Sequence, residues 1–187
     1  MQVSKNHPVT DLPQFGISVL PIWTDNPTEV LHLVQLADRL AYDLVGIQDH
    51  PYQWRFFDTW TLIAWLAEQT THIRIFPDVA NLPLRPPAML AKSAATLDVL
   101  TGGRVELGLG AGAFWDAVAA MGGPRRTPAE ALQATEEAID VIRLVWTGQR
   151  GLRYDGTFYS LHGLNASPPP AHPSGSGSAP TAPACSS

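Results

Sequence analysis

Two short stretches hold the side chains best suited to chemistry. One is Asp49-His50, directly after the apolar run Leu44 to Ile47. The other is Gly103-Arg104-Val105-Glu106-Leu107-Gly108-Leu109-Gly110-Ala111-Gly112. A histidine at the carboxyl end of a strand points into the mouth that the strands form, and its ordinary pKa suits proton transfer near neutrality. Asp49 is placed to orient that ring or to hold a second polar ligand; the competing reading is a strand-end pair that only satisfies backbone groups. In the glycine run, a short buried strand from Val105 to Leu109 opens into a loop. Gly110 and Gly112 there lack a Cβ, so the backbone can turn tightly against a ligand. Trp54, on the loop after His50, offers a ring for stacking or packs against the base of its own loop. Asp78, Val79, Ala80 and Asn81 close a third apolar stretch, and Arg85 beyond them suits an anionic group. A metal held by Asp49, His50 and Asp78 is disfavoured, because no His-x-His or His-x₃-His spacing accompanies them. The segments Phe114-Trp115-Asp116 and Met121 to Arg126 read as a lid or substrate-facing loop.

Positioning these groups falls to a repeat of strand and helix. Apolar runs begin at Phe15, Leu44, Ile73 and Val105, roughly 30 residues apart, which is the length of one βαβ unit. A helix follows each. The first starts at Asn26-Pro27-Thr28-Glu29, with Asn26 as cap and Val30, Leu33, Val34, Ala37, Leu40 and Ala41 as its buried stripe. The second runs from about Asp58 to Gln69 with Trp60, Ile63, Leu66 and Ala67 inward. The third opens at Pro86-Pro87, buries Leu90, Ala94, Leu97 and Leu100, and stops at Gly102. The fourth begins with a capping box at Thr127-Pro128-Ala129-Glu130 and buries Leu132, Thr135, Ala138, Ile139, Ile142, Val145 and Trp146. Pro77 inside the third strand demands an irregular ladder. Right-handed crossovers in series build a parallel sheet, either curling into a (β/α)₈ barrel or open and doubly wound. In both, Asp49-His50, Asp78 to Asn81 and the glycine loop share the carboxyl edge. Tyr154 to Tyr159 is a predicted hairpin turning at Asp155-Gly156.

The 187 residues, 45% hydrophobic with a net charge of -5, suffice for one substantial core. The acidic excess and the lack of a Lys/Arg cluster argue against nucleic acid as partner. No apolar run reaches membrane-spanning length, and Met1 to Pro13 lacks the apolar stretch of a signal peptide, so a cytoplasmic protein is expected. Cys185 is the only cysteine, which excludes a disulfide framework. A hydrolase is disfavoured by the lack of a Gly-x-Ser-x-Gly elbow.

Four motifs together, Asp49-His50-Pro51, Asn81 to Ala88, Ala94 to Asp98 and Gly102 to Gly112, resemble the bacterial luciferase-like flavin-dependent oxidoreductases, over about Phe15 to Pro173. The resemblance implies a (β/α)₈ TIM barrel holding FMN or a deazaflavin, coenzyme F420, in its carboxyl-end mouth. It implies hydride transfer or oxygen activation on a small organic substrate. His50 and Trp54 match catalytic residues of the deazaflavin dehydrogenase branch, with Asp49 beside them. Asp78, Val79, Ala80, Asn81, Gly110, Ala111 and Gly112 are the expected cofactor contacts, with an irregular, often cis, peptide near Val79 to Asn81. Ala113 stands where an acidic residue is expected, which leaves dehydrogenase and FMN-type monooxygenase chemistry both open. The expected organisation is an arm at 1–14, an incomplete α/β barrel domain of about four βα units at 15–165, and a Pro/Gly/Ser-rich disordered tail at 166–187. Such a truncated half-barrel is expected to form a homo-oligomer through its open edges, or, alternatively, to be a non-catalytic remnant.

Overall fold

The computed structural model describes residues 13–26 and 28–172. The expectations for the arm at 1–12, for Pro27 at a helix start and for a tail beyond 172, with Cys185, lie outside these residues. The elements run β1 (Gly16–Val19), α1 (Glu29–Arg39), β2 (Leu44–Ile47), α2 (Thr59–Glu68), β3 (Arg74–Pro77), β4 (Ala80–Asn81), a 3-10 turn (Leu82–Leu84), α3 (Pro87–Thr101), β5 (Leu109–Gly110), α4 (Trp115–Ala120), α5 (Pro128–Trp146), β6 (Leu152–Asp155) and β7 (Ser160–Leu164). β1, β2 and β3 pair in parallel and in chain order, with Gly16, Leu44 and Arg74 in register. Alternate residues Val45, Ile47 and Ile75 leave the sheet on one side and meet Val34 and Ala37 of α1 and Ile63 and Leu66 of α2. Each large side chain so buried contributes about 1.5–3 kcal/mol. A second core joins α3 to α5, where Ala91 meets Val141, Ile142 and Val145. Among the described residues, no helix is long and apolar enough to cross a membrane.

The fourth strand is split. Val105 bridges Ile75 in parallel, but regular pairing resumes only at Leu109, opposite Ala80. The cause is chemical: Ile75 N–H reaches Arg104 O and Glu106 N–H reaches Ile75 O, yet the next donor in that ladder is Pro77, which has no N–H. The chain crosses the gap through a cis peptide between Asp78 and Val79, at the leading edge of the stretch where an irregular peptide is expected.

Helix ends follow local chemistry. Asp58 accepts from Thr61 N–H at 2.9 Å to cap α2. Thr127 and Glu130 exchange both bonds of the capping box. Gly102 closes α3 at φ +70°, a conformation that costs a glycine nothing. The start of α1 departs from expectation: its cap is Thr28, and Asn26 instead accepts from the Thr28 N–H and hydroxyl in the preceding turn.

Burial corrects several expected stripes. Leu33 on α1, Leu40 at its carboxyl cap, Leu100 on α3 and Leu132 on α5 are exposed. α5 instead packs through the smaller Ala131, Ala134 and Ala138 together with Val141 and Ile142, because close approach to α3 favours small side chains. The hairpin is present as β6 and β7, joined through residues 156–159. Its loop is hung from Glu137 of α5, whose carboxylate accepts from the N–H groups of Thr157, Phe158 and Tyr159. Beyond position 165 the chain keeps packing on α3. Ala166 is buried, and Asp98 accepts from the N–H groups of Ala171 and His172. The described part of the predicted tail is therefore ordered.

Candidate functional site

The strand ends converge on a cleft of about 200 Å³, walled by Asp49, His50 and Tyr52 on one side and by Val79 to Asn81 and Gly110 to Ala113 on the other. That volume is below the ~300–1,000 Å³ of a typical small-molecule pocket, which suits a flat ring more than an entire cofactor. The pairing of Asn81 with Gly110 fixes the two halves of the second wall. Gly110 and Gly112 are required there by space. A Cβ on Gly110 would sit 2.6 Å from Val79 Cγ2, and one on Gly112, at φ +110°, 2.6 Å from Pro83 Cγ.

His50 lies half-buried at the wall. Its Nδ1 is 2.7 Å from the Tyr52 hydroxyl, and its ring meets Phe114 edge-on at 5.9 Å and Phe56 at 6.4 Å. Tyr52 and Phe114 are 6.0 Å apart, so three aromatic rings fence the imidazole. Burial, then the charge of Asp49, push the Tyr52 phenol above its ordinary pKa, and it remains protonated.

Asp49 faces elsewhere. One carboxylate oxygen accepts from Asn81 N–H at 2.9 Å and from Arg85 Nε at 2.7 Å; the other accepts from an Arg85 terminal nitrogen at 2.8 Å. Arg85 also reaches Asp58 at 2.7 Å. Asp49 therefore makes no bond to His50 and is engaged by Asn81 and Arg85, and Arg85 is committed to carboxylates rather than free for an anion. Trp54 stands outside the cleft, 82% exposed, with Arg55 over its ring. Asp78 does not line the cleft either; it accepts from the Ser18 hydroxyl at 2.9 Å. His50, Val79, Ala80, Asn81, Gly110, Ala111 and Gly112 are brought together, whereas Trp54 and Asp78 are not.

Asn81 is the most telling of these. It is 5% exposed, and its side-chain oxygen has no hydrogen-bond partner. A buried acceptor left open costs about 1–3 kcal/mol, and this one stands in a residue of the cleft wall. The open acceptor fits a partner with an N–H on its edge, while Gly110 and Gly112 make room for the side chains of Val79, Pro83 and Trp115. No lysine or arginine lines the cleft to meet a phosphate. Sequence reasoning passed over Tyr52, although its position two residues after His50 on a tight turn was a usable signal.

Comparison with known proteins places the chain by family and fold. The family profile described as luciferase-like monooxygenase matches residues 5–185. The chain is 33% identical to 4-hydroxyprotoasukamycin monooxygenase of Streptomyces nodosus subsp. asukaensis, over 86% of this chain and 40% of that protein. It is 31% identical to F420-dependent glucose-6-phosphate dehydrogenase of Intrasporangium calvum, over 79% of this chain and 46% of that protein. In three dimensions it superposes on the oxygenating constituent of 3,6-diketocamphane monooxygenase from Pseudomonas putida, solved with FMN. That match has a TM-score of 0.67 and 24% identity, and it covers 80% of this chain and 43% of the other. The chain thus spans less than half the length of each of these proteins.

Proposed function

The chain belongs to the luciferase-like monooxygenase family, and from that premise we propose that it is a flavin- or deazaflavin-dependent oxidoreductase acting on a small organic substrate. The ring-binding face is the cleft between His50 and the Gly110–Gly112 loop. β1, β2, β3 and the split fourth strand are the first four strands of a (β/α)₈ barrel, whose ligand sites lie at the carboxyl edge. The observation that carries the reading is the orphaned oxygen of Asn81, buried in the wall that Asn81 and Gly110 form by pairing. FMN and F420 share a tricyclic ring with an imide N–H on one edge, a donor of the type this oxygen lacks. When bound, such a group supplies or accepts a hydride, or as a flavin delivers electrons to oxygen.

The remaining work belongs to the side chains. Asn81 would hold the ring edge, beside the backbone of Gly110 to Gly112. Tyr52, Phe56 and Phe114 pack around the His50 ring, which is the group available to hold a proton. Asp49 and Arg85 act one step back, as the strut that keeps Asn81 in place. Because no cation lines the cleft, affinity rests on the ring rather than on a phosphate.

Titrating the 187-residue chain with FMN and with F420, read by fluorescence quenching, tests this. We expect saturable binding of one of them, weakened about tenfold by Asn81→Leu through loss of one hydrogen bond. Unchanged affinity in the variant would move the ring out of this cleft.

A further inference from the structure

We infer that Tyr52 is the positioning residue of His50: its phenol donates to Nδ1, fixes the orientation of the imidazole and reserves Nε2–H as the donor presented at the cleft. The phenol oxygen lies 2.7 Å from Nδ1, within hydrogen-bond distance, and a phenol is a strong donor. An imidazole lone pair is also a better acceptor than a phenol oxygen. A neutral imidazole carries one proton, so a ring that accepts at Nδ1 carries it on Nε2. No described side chain bonds Nε2. Asp49, the carboxylate next in sequence, is bonded to Asn81 N–H and Arg85 and makes no bond to the imidazole. Phe56 and Phe114 pack against the same imidazole and carry no polar atom, so only Tyr52 supplies a hydrogen bond to its Nδ1 edge.

This inference rests on the oxidoreductase reading for its consequence, though not for its truth. A neutral histidine locked as an Nε2–H donor is poised to bond an oxygen rather than to abstract a proton. The substrate class it favours carries an acceptor oxygen at or beside the reacting carbon, such as a carbonyl, in preference to an alcohol awaiting deprotonation.

Ring ¹⁵N NMR of the labelled, cofactor-free chain provides the test, with His50→Gln identifying the resonances. We expect a neutral His50 protonated at Nε2, with Nδ1 shifted upfield as a hydrogen-bond acceptor. In Tyr52→Phe that Nδ1 signal moves downfield while the thermal melt is unchanged. A proton on Nδ1 in the parent chain, or an Nδ1 signal indifferent to Tyr52→Phe, overturns the proposal. Should the variant fail to fold, the parent spectrum alone decides between donor and acceptor at Nδ1. With a turnover assay in hand, Tyr52→Phe should lower kcat about tenfold at nearly constant KM and displace the pH profile, because the proton-holding ring is no longer held in register. Loss of all turnover from the parent chain would sink the oxidoreductase reading and leave the NMR result standing.

Discussion

At Asp49 a residue suited to chemistry is taken up by architecture. Its side chain is fully buried, and Arg85 meets it with two nitrogens while itself only 19% exposed. Removing one member of such a pair leaves the other without compensation, at about 3–5 kcal/mol; the surviving contact to Asp58 places Asp49→Ala near the lower figure. Urea denaturation should register that loss. An equally stable variant that only turned over more slowly would return Asp49 to the chemistry. His172 carries a second expectation. Hydrogen bonding to Asp98, then to Glu106, pushes its imidazole from 6.5 up to about 10. A pKa raised by folding stabilises fully below the unfolded value and ceases to do so above the folded one. The stability difference between the parent chain and His172→Ala should therefore be largest below pH 6.5, shrink above it and vanish beyond about pH 10. A difference that grew with pH would remove the ion pair. Asp38 works in the opposite sense. Burial opposes its ionisation, but the N–H groups of Ile73, Thr71 and His72 outweigh that and hold it at about 2. Its contribution is thus present at neutrality and lost only in strong acid.

Among the elements, the hairpin shows how a strand pair is held by a helix it never pairs with. Glu137 collects three loop N–H groups and the Gln133 amide. Glu137→Ala is expected to free the 156–159 loop, visible as faster proteolysis there and a lower melting temperature. Unchanged cleavage would show that β6 and β7 hold themselves. Elements whose determinants are local were legible in the sequence. Thr127 and Glu130 lie three residues apart, Asp58 caps by the same rule, and Gly102 ends α3 where a left-handed residue is needed. Strand starts were marked by apolar runs, whose spacing matches the length of a βαβ unit. Which apolar positions face inward on α1 and α5 was not legible. Periodicity yields a stripe, but its centre depends on the tilt of the helix against its neighbours, and Leu33 and Leu132 fell on the wrong side. The site was readable in part for the same reason. Gly110, Gly112 and His50 advertise themselves by type and place. The engagement of Asp49 by Arg85, 36 residues away, and of Asp98 by His172, 74 away, has no local signature.

For the molecule as a whole, the exposed apolar surface is the decisive feature. β1 has no partner on its outer edge among the described residues, and beside it Phe15, Leu20, Trp23, Leu33, Leu36 and Leu40 are all exposed. An unpaired strand edge together with exposed large apolar side chains favours association. On size-exclusion chromatography with light scattering, the chain is expected to run above its 20.2 kDa; a monodisperse monomer would show that this face tolerates water. The amino ends of the strands behave differently. Arg104 bonds the carbonyls of Ala67, Thr70, Ile73 and Thr101 and so ties α2, β3 and α3 at one point, while Asp38 gathers the amides that lead into β3. Arg104 and Asp38 thus bolt the pole opposite the cleft, while the cleft, built from glycines and a split strand, is held by the Asp49–Arg85–Asp58 ion pairs. Hydrogen exchange is expected to be slowest at the amides beneath and faster in the loops above. Changes to the upper loops can alter what is bound without loosening the bolt below.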